Sequence, residues 1–211
     1  MKIRPASDHS LLVSFGDTIA PTVHRQVLRL VRRLPGVPGI RNLNPAYASV
    51  LVSFNPLETD AAELAARIGE AAAAADEESL SEPRLIEVPV EYGGDAGPDL
   101  EEVAKFHGIP PTEVVALHSS ADYLVYFLGF SPGFPYLGGM PEAIATPRLA
   151  RPRRQVPAGS VAIGGSQTGI YPVASPGGWR IIGRTPLELF NPNRNPPVLL
   201  GIGDRLRFVP L

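Results

Sequence analysis

The 211 residues of this chain are 44% hydrophobic, carry a formal net charge of -2 at pH 7 and include no cysteine. This composition is that of a globular protein with a buried core, and it excludes disulfides, thiolate chemistry and zinc–thiolate sites. The small net charge argues against nucleic-acid binding, and no apolar run is long enough to cross a membrane. Because the N-terminus also lacks the apolar segment of a secretory leader, we expect a cytoplasmic protein.

Residues 1–80 predict a small α+β domain. Strands and helices alternate over residues 11–15, 21–34, 50–54 and 57–75. Asp60 and Glu63 have the spacing of a capping arrangement at the start of the second helix. The order strand–helix–strand–helix favours a ferredoxin-like sandwich. The acidic residues 76–82, followed by a proline, predict a linker to the next domain.

In residues 85–211 the apolar and polar residues alternate with a period of two, which predicts a mainly-β domain. The pattern predicts strands over residues 85–90, 123–128, 156–163, 179–183 and 205–209, and short helices over residues 100–106 and 111–117. Asp99 is placed to cap the first of these helices, and Thr112 to begin the second. Many short strands separated by Gly/Pro turns favour a closed β-barrel.

The stretch of residues 129–179 carries the strongest functional signal in the chain. It contains Gly-Phe-Ser-Pro-Gly-Phe-Pro-Tyr-Leu-Gly-Gly, Gln-Thr-Gly-Ile-Tyr-Pro and Ser-Pro-Gly-Gly-Trp. Glycine lets a backbone approach a ligand closely and proline restricts the loop, so this composition is typical of a preformed binding surface. The alternative is that many short strands simply need many turns.

The charges are distributed unevenly along the chain. Fourteen of the 21 acidic residues lie within residues 58–102, whereas residues 143–187 contain no acid. Six arginines lie in that acid-free segment: Arg148, Arg151, Arg153, Arg154, Arg180 and Arg184. Because the planar guanidinium binds carboxylates and phosphates in bidentate fashion, the segment predicts a site for a small anion or an acidic partner. The alternative is an arginine-biased composition with solvated side chains.

The sequence lacks the motifs of three common kinds of functional site. Residues 164–169, Gly-Gly-Ser-Gln-Thr-Gly, lack the Gly-Lys-Ser/Thr of a phosphate-binding P-loop. Ser160 and Ser166 both miss the Gly-x-Ser-x-Gly of a nucleophile elbow, which argues against a serine hydrolase. The four histidines show no metal-ligand spacing, so no metal site is expected.

Two groups of residues remain as functional candidates. His118 ends a predicted helix just before the strand that leads into residues 129–179, and a helix C-terminus would favour its protonated form. The alternative for His118 is a structural role at the helix end. The second group predicts a small-molecule pocket with aromatic walls and a few polar groups, formed by Phe130, Phe134, Tyr136, Tyr171, Ser160, Gln167 and the arginines. The alternative for the aromatic residues is barrel core and barrel rim.

Several linked motifs, in order along the chain, make a family resemblance recognisable. They are His118, residues 123–138, Pro147-Arg148, Pro152-Arg153, residues 156–161, 167–172, 175–179 and 183–186, and Gly203-Asp204-Arg205. Together they resemble the family that includes the B subunit of 5-oxoprolinase, the sporulation-kinase inhibitor KipI and allophanate hydrolase subunit 1, of the carboxyltransferase subdomain C/D type. The resemblance is dense over residues 85–211 and looser before them. It implies an N-terminal α+β domain followed by a cyclophilin-like β-barrel.

The resemblance to the 5-oxoprolinase B subunit implies one component of an ATP-hydrolysing cyclic amide hydrolase, inactive alone. It further implies that the B-like and C-like components together activate 5-oxo-L-proline by phosphorylation, and that an A-like component completes ring opening to L-glutamate. ATP would be shared with the partner protein, with Mg²⁺ as its counter-ion and no tightly bound cofactor. Arg148 and Arg153 would then neutralise phosphate or substrate carboxylate. His118 would act as acid or base, or orient the amide oxygen.

Two other functions stay open at this point. The likeness to KipI implies a regulatory protein that binds a sensor histidine kinase, with the aromatic residues as interface anchors rather than pocket walls. The likeness to the urea enzymes implies half of a urea-type carboxyltransferase.

Overall fold

A computed structural model describes residues 1–74 and 83–211, which lie in two compact units, Met1–Glu82 and Pro83–Leu211. The predicted linker, residues 76–82, and residue 75 of the predicted second helix lie outside the described residues. None of the helices in the described ranges is long and apolar enough to span a membrane.

The N-terminal unit is a four-stranded antiparallel sheet with two helices. Its elements are β1 (Lys2–Ser7), β2 (Ser10–Ser14), α1 (Pro21–Arg33), β3 (Ile40–Pro45), β4 (Ser49–Phe54) and α2 (Ala61–Ala73). The strand order is β1-β2-β4-β3. Alternate side chains of the two central strands are buried, as are apolar residues of both helices, among them Val13, Val52, Val27, Leu64 and Ile68.

Two of these strands were not predicted, because both lie at the edges of the sheet. β1 (Lys2–Ser7) is almost entirely exposed and contains a proline, and β3 (Ile40–Pro45) has no fully buried residue. An edge strand exposes both faces and so shows little alternation of apolar and polar residues. The four elements that were predicted are present with shifted ends. The ferredoxin-like assignment stays a prediction.

The start of α2 (Ala61–Ala73) follows the predicted capping arrangement. The Asp60 carboxylate accepts hydrogen bonds from the backbone N–H groups of Ala62 and Glu63, both at 2.8 Å. We expect Asp60→Ala to lower the free energy of unfolding of this unit by about 1 kcal/mol, because two helix N–H groups lose their acceptor. Chemical denaturation monitored by circular dichroism measures the change. Asp60→Asn keeps the side-chain acceptor and is the matched control; an equal loss in both variants would contradict the capping role.

The C-terminal unit is a closed seven-stranded barrel, as predicted, with two helices and a small additional sheet. Its strands are β5 (Leu85–Tyr92), β6 (Asp122–Leu128), β7 (Pro135–Gly138), β8 (Arg153–Val156), β9 (Ser160–Gly164), β10 (Gln167–Ile170), β11 (Ser175–Gly177), β12 (Arg180–Arg184) and β13 (Arg205–Pro210). The helices are α3 (Leu100–His107) and α4 (Pro111–Ser120), and one 3-10 turn covers Glu142–Ile144.

The barrel closes in the order β10-β7-β6-β13-β5-β12-β9, with β5 and β13 parallel and the other pairs antiparallel. β8 and β11 form a separate two-stranded sheet. The prediction of a single strand over residues 156–163 is therefore wrong. A turn at residues 157–159, with Gly159 at φ +81°, divides it into β8 and β9, which belong to different sheets.

The C-terminal unit contains two clusters of buried apolar residues. The larger one fills the barrel with residues such as Val90, Tyr123, Ile163 and Phe208, and also takes in the buried faces of α3 and α4. The smaller cluster consists of Phe134, Val156, Ala162, Tyr171, Trp179 and Ile181, with Tyr136 packed against it. Three of these six residues are aromatic, and all but Ile181 lie within residues 129–179, so this cluster forms the base of the candidate site.

Candidate functional site

An aromatic cleft of about 270 Å³ opens beside the smaller cluster. It is lined by Phe130, Phe134, Tyr136, Arg148, Pro152, Tyr171, Pro176, Gly177, Gly178 and Trp179. Phe134 is the centre of the wall, because its ring makes edge contacts with Tyr136, Tyr171 and Trp179 at centroid distances of 5.3, 5.3 and 5.6 Å. These edge-to-face contacts hold the four rings in fixed orientations, so the cleft has preformed, largely apolar walls.

Glycines of the neighbouring strands make room for three of these rings. A Cβ at Gly164 would lie 2.5 Å from the Trp179 ring, and a Cβ at Gly169 would lie 2.9 Å from the Phe134 ring. A Cβ at Gly177 would overlap the Tyr171 hydroxyl. The glycines in these motifs therefore do more than turn strands. Each permits an aromatic ring to lie directly on the backbone.

Phe130 lies at the rim of the cleft in a strained conformation. It has φ +65°, the only positive φ of a non-glycine residue in the described ranges, and its side chain is 64% exposed. Its ring makes edge contacts with Phe134 and Tyr171 at 5.5 and 6.4 Å. An exposed aromatic side chain on a strained backbone is costly, and such positions cluster at ligand and partner sites.

Arg148 supplies positive charge at the cleft. Its guanidinium carbon lies 5.5 Å from the centroid of the Trp179 ring, within the range of a cation–π contact. Among residues 1–74 and 83–211, no acidic side chain forms an ion pair with Arg148. The side chain is exposed, so its donors are accessible to an anion in the cleft.

Arg153 differs from Arg148 because its charge is balanced within the protein. Its Nη2 donates to Asp99 Oδ1 at 2.7 Å, while Asp99 Oδ2 accepts from the Ile181 backbone N–H at 2.7 Å. Asp99 occupies the N-cap position of α3, as predicted, but its carboxylate turns toward β12 and Arg153 and makes no cap hydrogen bond. Arg153 does not line the cleft. It lies on β8 opposite Gly177 of β11.

The charges of both arginines affect the pKa of the Tyr171 hydroxyl. Burial raises the pKa of Tyr171, and the backbone N–H of Trp179 and the charges of Arg148 and Arg153 partly offset that rise. The Tyr171 side chain therefore stays protonated at neutral pH and presents a hydroxyl donor beside the Arg148 charge. This combination of one cation and one neutral donor suits an anionic or strongly polar ligand.

His118 packs against Tyr123 and Phe208 of the larger cluster and does not line the cleft. The ring is fully buried; Tyr92 donates its hydroxyl to Nδ1 at 2.7 Å, and Nε2 donates to Thr168 Oγ1 at 2.9 Å. The Thr168 hydroxyl donates onward to the Ala162 carbonyl at 3.0 Å, which fixes the proton of the neutral ring on Nε2. The expectation of a protonated His118 is wrong, because burial lowers its pKa to about 3.

The structure brings together some of the predicted site residues. Phe130, Phe134, Tyr136, Tyr171 and Arg148 line one cleft, whereas His118, Arg153, Ser160 and Gln167 do not. Ser160 is buried in β9, and Gln167 is half-buried at the start of β10. The lining residues missed by prediction are Pro152, Pro176, Gly177, Gly178 and Trp179. The Ser-Pro-Gly-Gly-Trp motif could have identified four of them. In the described ranges, no three His, Asp or Glu side chains are grouped as metal ligands.

Comparison with known proteins gives consistent matches over almost the whole chain. The profile of the family described as carboxyltransferase domain, subdomain C and D, matches residues 1–200. The 5-oxoprolinase B subunit of Escherichia coli O157:H7 is 51% identical over 189 residues, covering 88% of this chain and 85% of the relative. The protein of the same name from Bacillus subtilis (strain 168) is 41% identical over 225 residues, covering 99% and 92%.

A solved structure also matches both units. The crystal structure of TTHA0988 superposes with a TM-score of 0.86 at 35% sequence identity, over 100% of this chain. This chain spans only 40% of TTHA0988, which is therefore a much longer protein.

Proposed function

Because this chain belongs to the family of the carboxyltransferase domain, subdomain C and D, and is similar along most of its length to 5-oxoprolinase B subunits, we propose that it is the B subunit of an ATP-dependent 5-oxoprolinase. In this proposal it acts with a C-like partner protein to phosphorylate 5-oxo-L-proline, and an A-like partner protein completes hydrolysis to L-glutamate. The N-terminal unit would be of the ferredoxin-like type and the barrel of the cyclophilin-like type.

The observation that supports this function is the position of Arg148 in an aromatic cleft, with no acidic partner among residues 1–74 and 83–211. 5-Oxoproline is a small, flat lactam ring that carries one carboxylate. The walls formed by Phe134, Tyr136 and Trp179 suit the ring, and Arg148 suits the carboxylate. The Tyr171 hydroxyl is then a donor for the second polar end of the substrate, the lactam carbonyl.

The chain would contribute binding and orientation rather than a complete set of catalytic groups. In the proposed step the lactam oxygen attacks the γ-phosphorus of ATP, the bond to the β-phosphate oxygen breaks, and ADP leaves. Holding the lactam oxygen in line with that phosphorus lowers the entropic part of the activation barrier. ATP and its Mg²⁺ would be bound in part by the C-like partner. His118 is left out of this step, since its neutral ring is buried away from the cleft.

Reconstitution tests the proposed function directly. The purified chain is mixed with the A-like and C-like proteins from the same organism, and release of ADP is measured with and without 5-oxo-L-proline. We expect ADP release that depends on 5-oxoproline only when all three proteins are present. Absence of such release from the complete mixture would contradict the proposal, and release that depends on urea instead would assign the chain to the urea-type carboxyltransferases.

Arg148 is the residue whose replacement tests the site. We expect Arg148→Ala to raise the KM for 5-oxoproline about tenfold to a hundredfold in the reconstituted system, because the carboxylate loses its charge-assisted hydrogen bonds. The folded barrel should be unaffected, since the side chain is exposed. Arg151→Ala removes a nearby exposed arginine that does not line the cleft and is the matched control. An equal change in both variants would assign the effect to general charge.

A further inference from the structure

Arg148 lies on a segment that is held at both of its ends. At one end, Thr146 and Gly165 exchange two backbone hydrogen bonds, at 3.1 and 2.8 Å. At the other end, the Leu149 N–H donates to the Gly178 carbonyl at 2.7 Å. Between these points, the peptide group that joins Pro147 to Arg148 has one further restraint, which comes from a side chain.

That restraint is Arg180, the first residue of β12. Its Nε donates to the Pro147 carbonyl at 3.3 Å, and its Nη1 forms an ion pair with Glu102 Oε2. Glu102 lies in the first turn of α3, so the Arg180 guanidinium connects this helix to the segment of Arg148. The Arg180 side chain is only 22% exposed, which limits the positions that it adopts.

Arg148, Arg153 and Arg180 differ in whether an acidic side chain neutralises their charge. Arg153 is neutralised by Asp99 and Arg180 by Glu102, both acids coming from the N-terminal end of α3. Arg148 alone among these three has no acidic partner in the described ranges. An anion in the cleft therefore meets the Arg148 guanidinium, whose direction depends on the orientation of the peptide group that precedes it.

We infer that Arg180 is a positioning residue: its bond to the Pro147 carbonyl, held in place by Glu102, fixes the peptide group that sets the Arg148 guanidinium over the Trp179 ring. Arg180 itself does not contact the ligand. The geometric part of this inference is independent of any reaction. Its kinetic consequence rests on the proposed function, since it concerns the KM for an acidic lactam.

Trp179 provides a direct measurement because it is the only tryptophan in the chain. Its ring is 6% exposed and lies beneath Arg148. Quenching of its fluorescence by acrylamide, an uncharged quencher, reports whether the guanidinium covers the ring. We expect Arg148→Ala to raise the quenching constant about twofold, and Arg180→Gln to raise it by a similar factor although Arg148 is still present.

The matched control is Arg184→Gln. Arg184 lies on the same strand, and its Nε also donates to a backbone carbonyl, that of Ala158, at 3.2 Å. It makes no bond to residues 146–149, so its variant should keep the wild-type quenching constant.

Glu102→Gln is a second test that leaves the barrel packing intact, because the Glu102 side chain is 66% exposed. This variant should also raise the quenching constant, by a smaller factor than Arg180→Gln.

A double-mutant comparison separates positioning from a general structural role. If Arg180 acts through Arg148, then Arg180→Gln changes neither the quenching constant nor the KM further in an Arg148→Ala background. Additive effects of the two substitutions would overturn the inference, as would a wild-type quenching constant in Arg180→Gln. Because quenching needs no substrate, failure of the reconstituted assay alone would count against the proposed function and leave this test intact.

Discussion

Gly164→Ala is expected to lower the free energy of unfolding of the barrel by about 1–3 kcal/mol and to reduce kcat/KM of the reconstituted enzyme at least tenfold. The new methyl group would lie 2.5 Å from atoms of the Trp179 ring, well inside van der Waals contact. The ring is 6% exposed and packs against Phe134, so it can move only by disturbing that contact or by entering the cleft that it lines. Moving it displaces the surface on which Arg148 rests.

Two further variants distinguish this steric effect from general damage to β9. Trp179→Phe in the Gly164→Ala background replaces the indole with a smaller ring, so it should restore part of the lost stability. Gly165→Asn is the neighbouring control, because a Cβ there meets no atom within 4 Å and asparagine tolerates the φ of +67°. Denaturant titration followed by circular dichroism measures all three. If Gly165→Asn destabilises the barrel as much as Gly164→Ala, the steric explanation is wrong.

The general architecture was accessible from the sequence because buried strands and helices leave periodic patterns. The helix at Pro21–Arg33, with a proline at its first turn, was predicted to within one residue of its end. β7, β10 and β11 were missed, because strands of three or four residues in Gly/Pro-rich sequence are too short to show alternation. Barrel closure was predicted from the frequency of turns, whereas the parallel pair β5–β13 joins distant parts of the chain and leaves no local signal.

The candidate site was predicted only in part, because its residues lie in recognisable motifs whereas their contacts join distant parts of the chain. Aromatic residues and arginines in glycine-rich loops indicated a binding surface, and five of the predicted residues do line the cleft. The sequence could not distinguish Arg148 from Arg153, since the difference lies in the carboxylate of Asp99, which is 54 residues away from Arg153 in the chain. Nor could it show that His118 is buried, because the end of a helix is exposed in one fold and covered in another.

His118 gives the second large expected effect, a loss of barrel stability as the pH falls. In the unfolded chain the imidazole has its ordinary pKa of 6.5, whereas burial lowers the pKa of the folded form to about 3. Between pH 6.5 and 3 the unfolded chain therefore binds a proton that the folded chain does not. This contribution to the free energy of unfolding is fully present above pH 6.5 and decreases as the pH falls toward 3, by a total on the order of 5 kcal/mol.

The comparison of wild type with His118→Gln isolates this contribution from the carboxylates that titrate in the same range. Glutamine retains a donor for Thr168 and an acceptor for the Tyr92 hydroxyl, but it has no proton to bind. The variant should be less stable at pH 7.5, because it loses the stacking of the imidazole on Phe208 at 4.4 Å. The difference between the two proteins should then shrink as the pH is lowered toward 4.

Urea titrations at several pH values, followed by Trp179 fluorescence, report this unit of the chain specifically. A difference in free energy of unfolding that stays constant from pH 7.5 to pH 4 would show that the imidazole is not held neutral in the folded state. The same result would reopen an acid–base role for His118, because a ring that gains a proton at mildly acidic pH must reach solvent. A narrowing difference instead assigns His118 to the barrel interior, with Arg148 and Tyr171 left as the polar groups that a ligand in the cleft would meet.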